Sequence, residues 1–148
     1  MAELCLGTVQ FGMKYGINNT LGQPTEEAVF EMLDTAIVGG IHVIDTARAY
    51  GTAEVVLGKY FENRKNADSL QIISKLRPNV IEDTEKDVRG AVRREFESTL
   101  ERLHVQHLDG YLLHTPQYIY NTEIVKGLRG LKEEKLVDHI GVSIYDLQ

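Results

Sequence analysis

Five short apolar runs, at residues 4–9, 41–45, 70–75, 108–114 and 140–143, recur along this chain with helical stretches between them. Runs that stay apolar without alternating mark strands buried on both faces. Strands of that kind, separated by helices at steps of roughly thirty to forty residues, assemble as βα units into a parallel sheet. The helical stretches carry their own signals. Thr25 in Pro24-Thr25-Glu26-Glu27 suits an N-cap, and the two acids suit the positive end of the helix dipole. Val29, Met32, Leu33, Ala36 and Ile37 then fall on one face, and Gly39-Gly40 stops the helix. A short helix is expected over 54–61. A longer one over 84–103 aligns Val88, Ala91, Val92, Phe96, Thr99, Leu100 and Leu103 on one side. Pro116 breaks the chain before a helix carrying Ile124, Val125, Leu128 and Leu131.

Asp146-Leu147-Gln148 reads as the cap and first residues of one more helix, the one that would cover the fifth strand. A complete (β/α)8 barrel takes about 250 residues. The expected fold is therefore α/β, a partial (β/α)8 TIM barrel with about five parallel strands and flanking helices. Residues 1–148 would form one domain, slightly more than half a barrel, with no linker or low-complexity segment.

The last residues of the second, third and fourth strands are Asp45, Lys75 and His114. In a (β/α)8 barrel the C-terminal strand ends form the floor of the active site, so residues far apart in sequence converge there. Tyr50, in the loop after the second strand, can lean over the same floor. Each residue taken singly has an ordinary use: a turn cap for Asp45, a solvated strand end for Lys75, a loop anchor for Tyr50, a packed imidazole for His114. Their joint occurrence at three consecutive strand ends and one loop favours a catalytic group.

These residues sit in motifs that resemble the aldo-keto reductases, which reduce aldehydes and ketones with NADPH on a (β/α)8 barrel. The pieces are LGTVQFG near the start, Asp45-Thr46-Ala47 with Tyr50-Gly51, Glu54 through Leu57-Gly58, Lys75 in IISKL, His114 in DGYLLH, and Gly141-Val142-Ser143. The resemblance implies that Tyr50 is the proton donor to the carbonyl oxygen. A phenol is a weak acid at neutral pH, and a neighbouring ammonium favours its ionised form. That role falls to Lys75, with Asp45 holding the ammonium and His114 directing a hydrogen bond at the carbonyl. It further implies nicotinamide and ribose contacts from Gly7, Thr8, Val9 and Asp45, and a carboxamide contact from Ser143. Many members have asparagine after that serine. Ile144 stands there here, which removes one expected hydrogen bond, and Tyr145 is a candidate to pack in its place. Most cofactor phosphate contacts would come after strands seven and eight, outside these residues. The implied cofactor is NADPH, with NADH as the alternative, and the implied partner is a small carbonyl substrate.

Composition limits the other classes. Sixteen basic against twenty-two acidic residues give a net charge of −6, with no basic patch suited to nucleic acid or an anionic membrane. MAELCLGTVQFG has no basic n-region and no apolar run of membrane-spanning length, so a cytoplasmic location is expected. Cys5, alone and flanked by leucines, reads as a small core residue. His104 and His107 lie where a helix ends, His42 and His139 flank strands, and no H-E-x-x-H or Cys/His spacing suggests a metal. Gly7, Gly12 and Gly16 do not form G-x-G-x-x-G, so a Rossmann site is not indicated. Gln10, Phe11, Tyr15 and Arg48 are candidates to rim the mouth.

Two other readings stay open. One is a non-catalytic binding or partner subunit, a half-barrel that pairs through its open edges with the missing barrel half or a second copy of itself. The other is a Schiff-base lyase using Lys75, which the adjacent Asp45 disfavours because it keeps the amine protonated.

Overall fold

A computed structural model describes residues 4–82 and 85–144. Five strands, β1 (Cys5–Gly7), β2 (Val43–Asp45), β3 (Gln71–Leu76), β4 (Leu108–Leu113) and β5 (Val137–Val142), form one sheet in the order β1-β2-β3-β4-β5. Every neighbouring pair is parallel. Helices return the chain between strands: α1 (Val9–Gly12), α2 (Glu26–Val38), α3 (Ala53–Arg64), α4 (Val88–Leu103) and α5 (Thr122–Glu133). Parallel strands in sequential order with helices between them are the partial barrel expected from the alternation.

The register assigns the two faces. Asp45 pairs with Ile73, Lys75 with Leu112, and Leu112 with Gly141, so these positions look into the lumen. Ile44, Ile72, Ser74, Leu76, Tyr111 and Leu113 look outward and are buried against the helices. The core therefore lies between sheet and helices. Phe96 of α4 and Tyr111 of β4 stack edge to face there, with ring centres 5.0 Å apart. Such a pair adds roughly 0.5–1.5 kcal/mol to the burial of the two rings.

Local signals explain the helix ends. Thr25 caps α2 by accepting from the Ala28 N–H at 3.3 Å. Asn121 caps α5, accepting from Glu123 and Ile124, after a 3-10 stretch over Pro116–Tyr120. Residues 83 and 84, where the α4 pattern was expected to begin, lie outside the described residues. So do Tyr145 and the expected helix start at Asp146. Gly58 has a steric reason: a Cβ there would lie 2.0 Å from the Arg102 carbonyl oxygen, so α3 and α4 cross in backbone contact.

Several expectations need correction. Cys5 is exposed, not core, because it lies on the lumen side of an edge strand, away from the helices. Met32 is 45% exposed; the buried contacts of α2 come from Val29 and Leu33. The first strand stops at Gly7, short of the apolar run over 4–9, and the chain turns at once into α1. The fifth strand starts three positions early, at Val137, because Asp138 and His139 are exposed and do not read as apolar.

Candidate active site

β2 delivers Asp45 to the lumen, and its neighbours fix the strand end. Thr8 donates to the Asp45 carbonyl from both its backbone N–H and its hydroxyl, each at 3.0 Å. The Thr46 N–H donates to Ile73 of β3 at 2.8 Å. Lys75 enters from β3 and is 3% exposed. Its ammonium donates to Asp45 Oδ1 at 2.5 Å, to the Thr46 carbonyl at 2.9 Å and to Tyr50 Oη at 3.4 Å. An ammonium has three donors, and all three have an acceptor here.

Tyr50 is held by a tight loop. Its N–H donates to Ala47 at 3.0 Å, and its own carbonyl accepts from Ala53 at 3.0 Å at the start of α3. Gly51 follows with φ +58°, a left-handed conformation suited to glycine. Gly12, at the end of α1, lies under this turn, and its carbonyl accepts from the Thr52 N–H at 3.1 Å. A Cβ on Gly12 would stand 1.7 Å from the Tyr50 carbonyl oxygen. Gly12→Ala therefore displaces the turn and costs about 3 kcal/mol, the upper end of ordinary overpacking. Chemical denaturation measures this; a loss under about 0.5 kcal/mol contradicts the contact.

His114 follows β4, its N–H donating to Leu76 at 3.1 Å. Its ring meets that of Tyr50 edge to face at 5.6 Å, and Lys75 Nζ lies 5.1 Å from the Tyr50 ring centre. The structure thus brings Asp45, Tyr50, Lys75 and His114 together. Burial pushes the His114 imidazole below its ordinary 6.5; the Lys75 charge acts the same way and Asp45 opposes. The ring is held neutral, able to donate one hydrogen bond without carrying charge. Below about pH 6.5 the unfolded chain then binds a proton that the folded chain resists, so stability falls as pH falls. In urea titrations at about pH 7 and about pH 5.5, His114→Asn should lose less stability on acidification than the parent. Equal losses would contradict the burial of a neutral ring.

The other candidates divide. Gly7 ends β1 on the lumen side with open space where a Cβ would point. Thr8 is fully buried, its hydroxyl spent on Asp45. Val9 begins α1. Ser143 follows β5, its N–H on the Leu113 carbonyl at 2.8 Å, and Ile144 beside it is 55% exposed. Phe11 is core, whereas Tyr15 is exposed and its backbone carbonyl accepts from the Gln10 side chain. Arg48 is half-buried. Two features escaped the sequence reading. The Tyr118 hydroxyl accepts from Val80 and Ile81, at 3.0 and 3.2 Å, tying together the loops after β3 and β4. Glu54, named above as a letter of the motif ending at Leu57-Gly58, is buried at the start of α3, and nothing in the sequence signals that burial.

Comparison with known proteins bears on the family of the chain and on its fold. The profile of the aldo/keto reductase family matches residues 3–148. A crystal structure from Pseudomonas aeruginosa, described as an aldo-keto reductase, superposes with a TM-score of 0.80 at 30% identity, covering 96% of this chain and 55% of that one. An aldo-keto reductase from Klebsiella pneumoniae in complex with NADPH gives 0.72 at 29% identity, covering 95% and 45%. The methylglyoxal reductase DkgA of Escherichia coli is 32% identical over 84% of this chain and 43% of its own length. The chain spans between about a third and a little over half of the proteins it matches. With a profile match over nearly all of its length, this chain belongs to the aldo/keto reductase family.

Proposed function

We propose that these residues form the catalytic part of an NADPH-dependent reductase that converts a small aldehyde or ketone to its alcohol, with NADH as the alternative cofactor. The observation that carries this reading is the Lys75 ammonium held between the Asp45 carboxylate and the Tyr50 hydroxyl. Tyr50 gives its proton to the carbonyl oxygen as negative charge develops there. Lys75 stabilises the phenolate left behind. Asp45 and the Thr46 carbonyl keep the ammonium charged and aimed despite its burial. His114, neutral and edge-on to Tyr50, donates toward the same oxygen and sets its approach.

The lumen side fits a planar amide-bearing ring. Gly7 leaves open space at the end of β1, Asp45 is 30% exposed beside it, and Ser143 offers a hydroxyl at the end of β5. Gly7, Thr8, Val9, Asp45 and Ser143 are the residues that would hold the nicotinamide. When bound, that group supplies the hydride. A Schiff-base role for Lys75 is disfavoured by geometry, since every ammonium donor has an acceptor and no lone pair is free to attack.

The test is carbonyl-dependent NADPH consumption, measured on the 148-residue chain and on the same chain joined to the C-terminal part of the Pseudomonas aeruginosa relative, hereafter the completed barrel. Activity is expected in the completed barrel and negligible in the chain alone. No consumption by the completed barrel across a panel of aldehydes and ketones overturns the reading.

A second reading, a partner subunit, is favoured by one observation. Among the described residues β1 and β5 each have a strand on one side only, and Cys5, Gln71 and His139 are exposed on the lumen side. A monodisperse dimer in solution would support it.

A further inference from the structure

Glu54 takes no part in the chemistry proposed above, yet it is 2% exposed. It stands in the first turn of α3, four residues beyond Tyr50. Glu54 Oε1 accepts from the Ser74 hydroxyl at 2.7 Å and from the Thr99 hydroxyl at 3.1 Å. Ser74 directly precedes Lys75 on β3, so one residue faces Glu54 outside the sheet while the next faces Tyr50 inside. Thr99 is on α4. One carboxylate thus joins the helix that follows Tyr50, the strand that carries Lys75, and the helix behind both.

We propose that Glu54 is a positioning residue, which sets the separation between Lys75 and Tyr50 by clamping α3 to Ser74. This rests on the reductase reading for its consequence and on the coordinates for its geometry. The Tyr50–Lys75 contact, at 3.4 Å, is near the outer limit of a hydrogen bond, so a few tenths of an ångström decide whether the ammonium acts on the phenol. Packing alone does not explain a carboxylate here, because an apolar side chain would fill the space without the cost of burying charge. Its surroundings compensate only in part. Arg102 of α4 approaches Oε2 at 3.8 Å, outside hydrogen-bond range, and Oε2 has no hydrogen bond among the described residues. Arg48, from the loop between Asp45 and Tyr50, adds positive charge, and its own buried Nε has no hydrogen-bond partner among the described residues. Tyr111 of β4 is close enough for the carboxylate to oppose its ionisation. Burial accordingly pushes the Glu54 carboxyl above its ordinary value, against the two hydroxyls and the two arginines.

The test reads Tyr50 directly and needs no turnover. The 148-residue chain is labelled with ¹³C-tyrosine, and the Tyr50 ring signal is identified by its loss in Tyr50→Phe. In Glu54→Ala the ring should titrate about one pH unit higher than in the parent, because the ammonium no longer sits at its oxygen. Glu54→Gln, whose amide oxygen still accepts from both hydroxyls, should restore most of that shift. In the completed barrel, Glu54→Ala should lower kcat about tenfold while KM for NADPH is unchanged. If Glu54→Ala does not fold, the Ser74→Ala/Thr99→Val pair removes the clamp and carries the same expectation. A folded variant of either kind with Tyr50 titrating as in the parent overturns the proposal. An inactive parent with a shifted Tyr50 in Glu54→Ala would overturn the reductase reading and leave this one standing.

Discussion

Tyr50→Phe in the completed barrel should lower the rate of carbonyl reduction by roughly 10²–10⁴, the range for losing one positioned general acid. The ring stays, so its edge-to-face contact with His114 at 5.6 Å survives and the fold should be unaffected. What disappears is the hydroxyl 3.4 Å from Lys75 Nζ. A proton must reach the carbonyl oxygen as charge builds there, and His114, held neutral by burial and by the Lys75 charge, is no substitute acid. The loss should fall on kcat, with KM for NADPH unchanged, because the hydroxyl acts in the transition state. An unchanged kcat would remove Tyr50 from the mechanism.

The second large effect is on stability. Asp45→Ala removes the carboxylate that accepts from Lys75 at 2.5 Å and leaves a nearly fully buried ammonium with one carbonyl and one phenol. Breaking a buried pair from one side costs about 3–5 kcal/mol. Asp45 is 30% exposed and the Thr46 carbonyl remains, so the lower end, about 3 kcal/mol, is expected. The double change Asp45→Ala/Lys75→Met removes the stranded charge as well and should recover more than half of the loss. Urea denaturation of the parent, Asp45→Ala, Lys75→Met and the double variant gives the coupling directly. A double variant no more stable than Asp45→Ala would show that the ammonium is not the source of the penalty.

The sheet was legible because its outward positions pack against the helices and several lumen positions, Val43, Ile73 and Leu112 among them, are apolar too, so the runs stand out. Its edges were not. Asp138 and His139 belong to β5, one on each face, and both are exposed, so their polarity masked the strand start. Cys5 misled for the opposite reason: an apolar neighbourhood in sequence became the lumen face of an edge strand. The four-residue α1 has no periodicity to read, and the contact of Gly12 with the Tyr50 turn comes from the fold alone. Asp45, Lys75 and His114 were visible because each ends an apolar run with an ionisable group. The Thr46 carbonyl that holds Lys75 carries no sequence signal, since any residue supplies a carbonyl. Glu54 was visible as a letter in a motif, while its partners Ser74 and Thr99 come from two other elements and only the fold brings them together.

The most direct measurement follows an isotope. The completed barrel is given an aldehyde and NADPH deuterated at the transferable position, and the alcohol is analysed by mass spectrometry. Deuterium on the carbinol carbon is expected, at the full rate for the parent and at a rate lower by roughly 10²–10⁴ for Tyr50→Phe. An alcohol free of deuterium, or no alcohol at all, would contradict carbonyl reduction at this site.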